Sequence, residues 1–328
     1  MTSMNLQKLL LGTLGLMFTG CDVPDEEVTE RGYNVSSGEC PPWECGYNSA
    51  EVNGRAIHEL NLDGLANSDG MRIIGFVAPA GILGSYKLDV QGDELVAVGK
   101  FGTLRGYQLL GATILVKPVG LLKPAVPIIV AGYSEQKSWA VGGAPVPSYA
   151  LVYPDVDALL GQRNVCVGDL KDTLATSAVV LGGETYDLES KTVVPNRDRW
   201  LTIACAGSAA AKMRLMNYGP QSDFDGEGNS ASVAQRQATL KMLTADYCGN
   251  GTSYTANGTR LAWENADGTV ATSTPLGPLE AVWTSKGALC LEATRLADAD
   301  VACGLPACDK IKDPLAVGEW LTHVPMTK

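Results

Sequence analysis

Nine cysteines in 328 residues constrain this chain more than any hydrophobic period does, and their placement separates one from eight. Cys21 ends a short apolar leader, Leu16-Met17-Phe18-Thr19-Gly20-Cys21, whereas Cys40, Cys45, Cys166, Cys205, Cys248, Cys290, Cys303 and Cys308 are spread through the remainder. An even remainder suits four disulfides, which persist in exported proteins and not in a reducing cytosol. Eight cysteines allow about a hundred pairings, and spacing does not choose among them. Local closure favours Cys40 with Cys45 and Cys303 with Cys308, since a proline-containing stretch of four residues separates each pair. Cys166 with Cys205 and Cys248 with Cys290 would then remain. Structural zinc is the alternative for clustered cysteines, but the spacing sits at the permissive limit and His58 and His323 are the only histidines.

The leader carries one basic residue, Lys8, and then an apolar run from Leu9 to Phe18. That is the length of a signal-peptide core and too short to span a bilayer. Cys21 reads as a lipid acceptor, with residues 1–20 removed, the thiol acylated and everything downstream folding outside the cytoplasm. Phe18 argues against ordinary cleavage, which wants a small residue three positions before the cut. The one later apolar stretch, 107–133, is broken by Lys117, Pro118, Lys123, Pro124 and Pro127. The membrane is therefore expected to be met through the lipid anchor, with the protein facing the periplasm or the cell surface.

Net charge is −11, which excludes nucleic acid as a natural partner. Acidity is densest in Asp22, Asp25, Glu26, Glu27 and Glu30, so residues 21–39 read as a solvated tether. With 45% hydrophobic and 19% charged residues, the rest has the composition of an ordered, β-rich globular protein.

From 40 to 155 the pattern is strand-like. Tyr86, Leu88 and Val90 alternate with Lys87 and Asp89, Gln91-Gly92-Asp93 makes a turn, and Leu95, Val96 and Val98 return, which predicts a hairpin. Further strands are expected at 72–77, 113–116, 127–131 and 150–152, giving an antiparallel sandwich or barrel-like domain. Breakers at 142–147 and 161–164 place a boundary between them. The second half, 163–328, mixes classes: a strand at 199–206, a helix opened by Ser208, and a second helix with the capping box Ser232-Val233-Ala234-Gln235. Val233, Leu240, Leu243 and Tyr247 would share that helix's apolar face, and Gly249-Asn250-Gly251 would stop it near Cys248. Strands at 259–263, 280–283 and 288–293 complete a disulfide-braced α+β domain, so the chain is mainly β with an α+β C-terminal part.

Ala245-Asp246-Tyr247-Cys248-Gly249 is similar to the signature of the ADYC domain, found in bacterial lipoproteins without an assigned activity. Cys205-Ala206-Gly207-Ser208-Ala209 with Lys212 resembles that family's earlier cysteine motif, and Met242 stands where the family has the methionine before its signature. Cys40-Pro41-Pro42-Trp43-Glu44-Cys45-Gly46 with His58-Glu59-Leu60-Asn61 resembles the region that often precedes the domain. Family members tend to carry further cysteines near Met213 and Thr239; both are absent here, which leaves parity intact. The resemblance implies no catalytic residue.

A carboxylate in the last turn of a helix opposes the macrodipole, so Asp246 needs a specific partner. The expectation is a buried hydrogen bond to the amides of Gly249-Asn250-Gly251. Asp223-Phe224-Asp225-Gly226-Glu227-Gly228-Asn229 alternates oxygens with glycines and makes Asp223, Asp225 and Glu227 the candidate calcium ligands, although Ala234 occupies the twelfth position, where an EF-hand needs a bidentate Glu. Ser134-Glu135-Gln136-Lys137 matches S-x-x-K without its partner motifs. His58 reads as a packing residue, and Trp43, Trp139, Trp200, Trp263, Trp283 and Trp320 supply rings for a core or for stacking on sugar. No catalytic constellation emerges. The expected function is a non-catalytic binding or structural role in the cell envelope, with no cofactor beyond calcium; the alternative is an envelope hydrolase working on a glycan or peptide through carboxylates.

Overall fold

The computed structural model describes residues 49–120, 122–158, 160–166, 177–256, 259–272, 276–296 and 299–324. The leader, Cys21, the tether, Cys40, Cys45 and Trp43 lie outside them. The described chain is mainly β. Its largest sheet is antiparallel and runs Glu59–Asn61, Trp200–Cys205, Ala178–Gly182, Val146–Pro154, Val126–Gln136, Thr113–Pro118, Met71–Val77, with Gln162–Asn164 added beside Val146–Pro154.

The expected hairpin is present. Tyr86–Val90 pairs with Leu95–Gly99 and Gly102–Arg105 adds a third strand. Its inward Leu88, Val90, Leu95, Ala97 and Leu104 pack against Ile73, Ile114, Val116, Ile128 and Val130 of the large sheet. The turn holds more than a turn residue. Asp93 is 1% exposed; its Oδ1 accepts from the Gly182 amide at 3.0 Å, and its Oδ2 accepts from the Gln221 amide at 3.0 Å and the Ser222 hydroxyl at 2.9 Å.

Three central strands carry the large sheet across the connection at 155–163. Successive strand residues point to opposite faces, so Tyr149, Leu151, Val180, Leu201 and Ile203 enter the hairpin-side core, whereas Val146, Val179, Leu181 and Ala204 enter a second core. That second core is roofed by α1 (Ala209–Leu215), α2 (Val233–Leu243) and a four-stranded sheet ordered Ala262–Asn265, Trp320–His323, Leu279–Thr284, Gly287–Leu291. Ala178–Gly182 is buried along its whole length, as a strand covered on both faces must be. The expected division into 40–155 and 163–328 is thus crossed by one sheet that both halves build.

Both helix caps form as read: Ser208 accepts from the Ala211 amide, and Ser232 and Gln235 close a reciprocal box. The face of α2 differs from the expectation. Val233 is 42% exposed, while Arg236, Thr239 and Lys241 are buried beside Leu240, Met242 and Leu243. The helix also ends earlier, at Leu243 with Thr244 as its C-terminal cap, because Ala245 turns left-handed (φ 48°).

Cys166 is bonded to Cys205, Cys248 to Cys303 and Cys290 to Cys308. The pairings Cys303 with Cys308 and Cys248 with Cys290 are therefore incorrect. Cys308 opens a 3-10 turn while Pro306 accepts from the Leu291 amide, which sets Cys308 against the strand holding Cys290. Cys303 reaches instead to the end of the signature, and the 303–308 segment is a strap pinned at its two ends to different elements. Three disulfides, with no described helix long and apolar enough to cross a membrane, fit an extracellular or envelope protein.

Candidate functional site

Ala245 to Gly249 form the turn that leaves α2, and each residue meets a different part of the molecule. Ala245 takes the left-handed conformation that usually favours glycine after a helix; its methyl is buried in the second core, which glycine would leave unfilled. Asp246 is fully buried. Its Oδ1 accepts from the Asn250 amide at 3.0 Å and its Oδ2 from the Gly251 amide at 2.8 Å, which are the turn amides that sequence reasoning assigned to it. The partner that sequence reasoning missed is Lys241, whose Nζ lies 2.6 Å from Oδ2 and also donates to Ser190 O at 2.9 Å.

Tyr247 stacks on Trp283 at 5.1 Å and donates its phenol to Glu280 at 2.6 Å, while the Arg295 amide donates to the same phenol oxygen at 2.8 Å. Burial, then the neighbouring Glu280 carboxylate, pushes that phenol well above the ordinary tyrosine range. Arg295 closes the cluster, pairing with Glu280 at 3.1 Å and capping the Met242 carbonyl of α2 at 3.0 Å. Cys248 carries the bridge to Cys303. Gly249 has φ 68°, and a Cβ there would fall deep inside contact with the Lys286 carbonyl oxygen in the adjoining hairpin. The signature is a junction of helix, sheet, loop and disulfide.

A third buried pair, Arg236 with Glu184 at 2.7 Å, ties the same helix to the large sheet's return loop. Buried pairs of this kind contribute little net stability and cost several kcal/mol when one partner is removed. The sequence signal for the Glu184 pair was Arg236, which falls on the same helical face as Leu240 and Leu243; Lys241 falls off that face and carried no such signal. Asp246 and Glu280 have no open face, so neither can reach a substrate.

The other sequence candidates separate in space. In the acidic loop, Asp223 Oδ1 accepts from the Gly228 amide at 2.8 Å, and Asp225 Oδ1 accepts from Glu227 and Asn229 amides at 2.8 and 3.1 Å. Those carboxylates turn onto the loop's own backbone, and among the described residues no three acidic, histidine or cysteine side chains converge on a metal position. Ser134 Oγ is shared with Ser148 Oγ at 2.8 Å and Gln136 at 3.0 Å, with Lys137 not among its partners. His58 is held below the usual histidine range by burial. Trp283 and Trp320 are core, and Trp139 stacks on Trp263 at 5.5 Å.

Trp200 is different: it lines an open cleft of about 380 Å³ together with Leu62, Asp89, Val90, Gly182, Gly183, Asp198, Arg199 and Gln221. The loop before Trp200 is held by paired backbone bonds, Gly183 amide to Trp200 carbonyl at 2.8 Å and Arg197 amide to Gly183 carbonyl at 3.0 Å. Arg199 is left-handed there (φ 64°), a conformation costing a long side chain about 1–2 kcal/mol. Its guanidinium binds Asp89 at 2.8 Å and Asp63 at 3.3 Å. Gly182 lets two other lining residues approach closely, since a Cβ there would lie 2.6 Å from Gln221 Nε2 and 2.7 Å from Val90. Nothing in the sequence marks this cleft, whose residues come from five separated segments.

A model of the ADYC domain matches residues 106–297, more than half of the chain. The match spans both sides of residue 163 and takes in most strands of the large sheet. No curated protein and no solved structure matches the chain.

Proposed function

This chain belongs to the ADYC domain family, and we propose that it is a lipid-anchored protein of the cell envelope that works by binding or bracing rather than by catalysis. The observation that carries the reading is the state of Asp246. The one ionisable carboxylate of the family signature is fully buried, is saturated by Lys241 and two turn amides, and is not among the residues lining the cleft. A catalytic carboxylate needs access to its substrate. The disulfides support maturation outside the cytoplasm, and the Leu16–Cys21 sequence supplies the acceptor for the anchor.

The test uses the mature chain against peptidoglycan, neutral and acidic glycans and envelope extracts. Saturable retention without new product supports the binding role; turnover of any of these substrates overturns it. Intact-mass analysis of the native product checks the anchor, with acylated Cys21 as the amino terminus expected and an unmodified Met1 refuting it.

A further inference from the structure

We propose that the cleft beside Trp200 binds an uncharged, hydroxyl-rich ligand, a short glycan segment, with Trp200 as the stacking plate and Asp198, Gln221 and Arg199 as the polar contacts. This deepens the binding role proposed above and rests on it.

The size is suitable, since ligand clefts fall at about 300–1,000 Å³. The selection is in the charges. Arg199 has its guanidinium already compensated by Asp89 and Asp63, and Asp198 stands exposed at the rim with no hydrogen-bond or ion-pair partner among the described residues, so an anionic ligand would meet the Asp198 carboxylate, while the nearby Arg197 guanidinium is engaged over the Trp200 ring and is not a lining group. A cationic ligand fares no better. Arg197, which is not a lining residue, packs its guanidinium over the Trp200 ring at 4.3 Å, and Arg199 lies in the wall. Both signs of charge flank the cleft, and a neutral ligand avoids both penalties.

What remains is a mixed set of donors and acceptors around one fixed ring. Asp198 accepts hydrogen bonds; the guanidinium of Arg199 has N–H groups beyond those bound to Asp89 and Asp63; and the Gln221 amide, whose oxygen accepts from the Gly92 amide at 2.9 Å, holds its nitrogen above Gly182. Sugar hydroxyls donate and accept in turn, and the C–H face of a pyranose stacks on an indole. The plate is rigid: the Trp200 amide donates to Arg197 at 2.9 Å, its carbonyl accepts from Gly183, and Arg197 supports the ring. Leu62 and Val90 supply the apolar floor. Preorganisation of this kind lowers the ordering cost of binding.

The experiment is a glycan array spanning neutral and acidic structures, followed by calorimetry with the free neutral saccharide that scores best. Binding of a neutral saccharide, weakened at least tenfold by Trp200→Ala and by Asp198→Ala, is the expected result. Asp198 is exposed and unpartnered among the described residues, so its variant keeps the test intact if Trp200→Ala fails to fold. Binding only to acidic glycans, no binding anywhere on the array, or binding that survives both substitutions overturns the assignment. Release of new reducing ends would leave the ligand class standing and remove the non-catalytic reading, whereas envelope retention by both variants would keep that reading and remove the cleft.

Discussion

Replacing Asp246 by Asn keeps the shape of the side chain and removes the charge that Lys241 faces. Asn retains one acceptor, enough for the Asn250 or the Gly251 amide but not for both together with the ammonium 2.6 Å away. Breaking a buried ion pair by deleting one partner costs about 3–5 kcal/mol because the other charge is stranded. Lys241 still donates to the Ser190 and Gly249 carbonyls, which places the expected loss near the lower figure. For a domain of this size about 1 kcal/mol moves the melting temperature by ~2 °C, so Asp246→Asn should melt ~6 °C lower by calorimetry or circular dichroism. Adding Lys241→Met removes the stranded ammonium and should recover part of the loss, a coupling of about 0.5–3 kcal/mol in the double-mutant cycle. If Asp246→Asn instead melts with the wild type and loses envelope retention, the carboxylate faces a ligand and the structural account of the signature is wrong.

Gly249→Ala should cost more than Asp246→Asn in the same melt, because the Lys286 carbonyl occupies the space of the new methyl, whereas Gly92→Ala, equally left-handed with nothing within 4 Å, should cost only about 1–2 kcal/mol; equal effects would refute the steric argument. Peptide mapping without reduction should recover Cys248 joined to Cys303, and the Cys248→Ser, Cys303→Ser pair should lose about 4 kcal/mol in denaturant unfolding; a fragment joining Cys303 to Cys308 would overturn the strap. Burial holds the Asp93 carboxyl above the usual carboxylate range, and its neighbours, Arg214 first, only partly offset this. Its folded form therefore binds a proton more tightly than its unfolded form, so its contribution is full below the unfolded value near 3.8 and is lost as pH rises through the raised folded value. The stability advantage of the wild type over Asp93→Asn should accordingly shrink as melts are taken from acid toward neutral pH, and an advantage that grows with pH would refute the sign.

The parts of the fold legible in the sequence were those fixed by neighbouring residues. Alternation at Tyr86–Val90 gave a hairpin, and Ser208 and Ser232 gave two caps, because each signal is local and its partner lies within a few positions. What the sequence could not show were the partners far along the chain. Asp93 read as a turn residue, yet its acceptors are used by Gly182, Gln221 and Ser222. Local closure favoured Cys303 with Cys308, yet packing against Gly287–Leu291 and the end of α2 separates them. The boundary near 155–163 followed from glycine and proline in surface connections, which mark turns and do not report whether the strands on either side share a sheet. Asp246 was legible because its amides lie four and five residues ahead; Lys241, five residues behind on the expected polar side of the helix, was not.

The same distinction bears on where function resides. Five consecutive residues fix a left-handed turn, a buried ion pair, a stacked and hydrogen-bonded tyrosine, a disulfide and a close backbone approach, and they thereby join α2 to the four-stranded sheet, the 189–190 loop and the 303–308 strap. A substitution at any of them strands a buried group or opens a clash, so the motif is bound to the fold whatever ligand the protein takes. The Trp200 cleft carries the opposite chemistry. Asp198, Arg199 and Gln221 are exposed, lie on connections rather than in the core, and can change without disturbing that junction. Under the binding role proposed above, the signature would carry the architecture and the cleft rim would set the choice of ligand, so substitutions in the two places should separate stability from recognition.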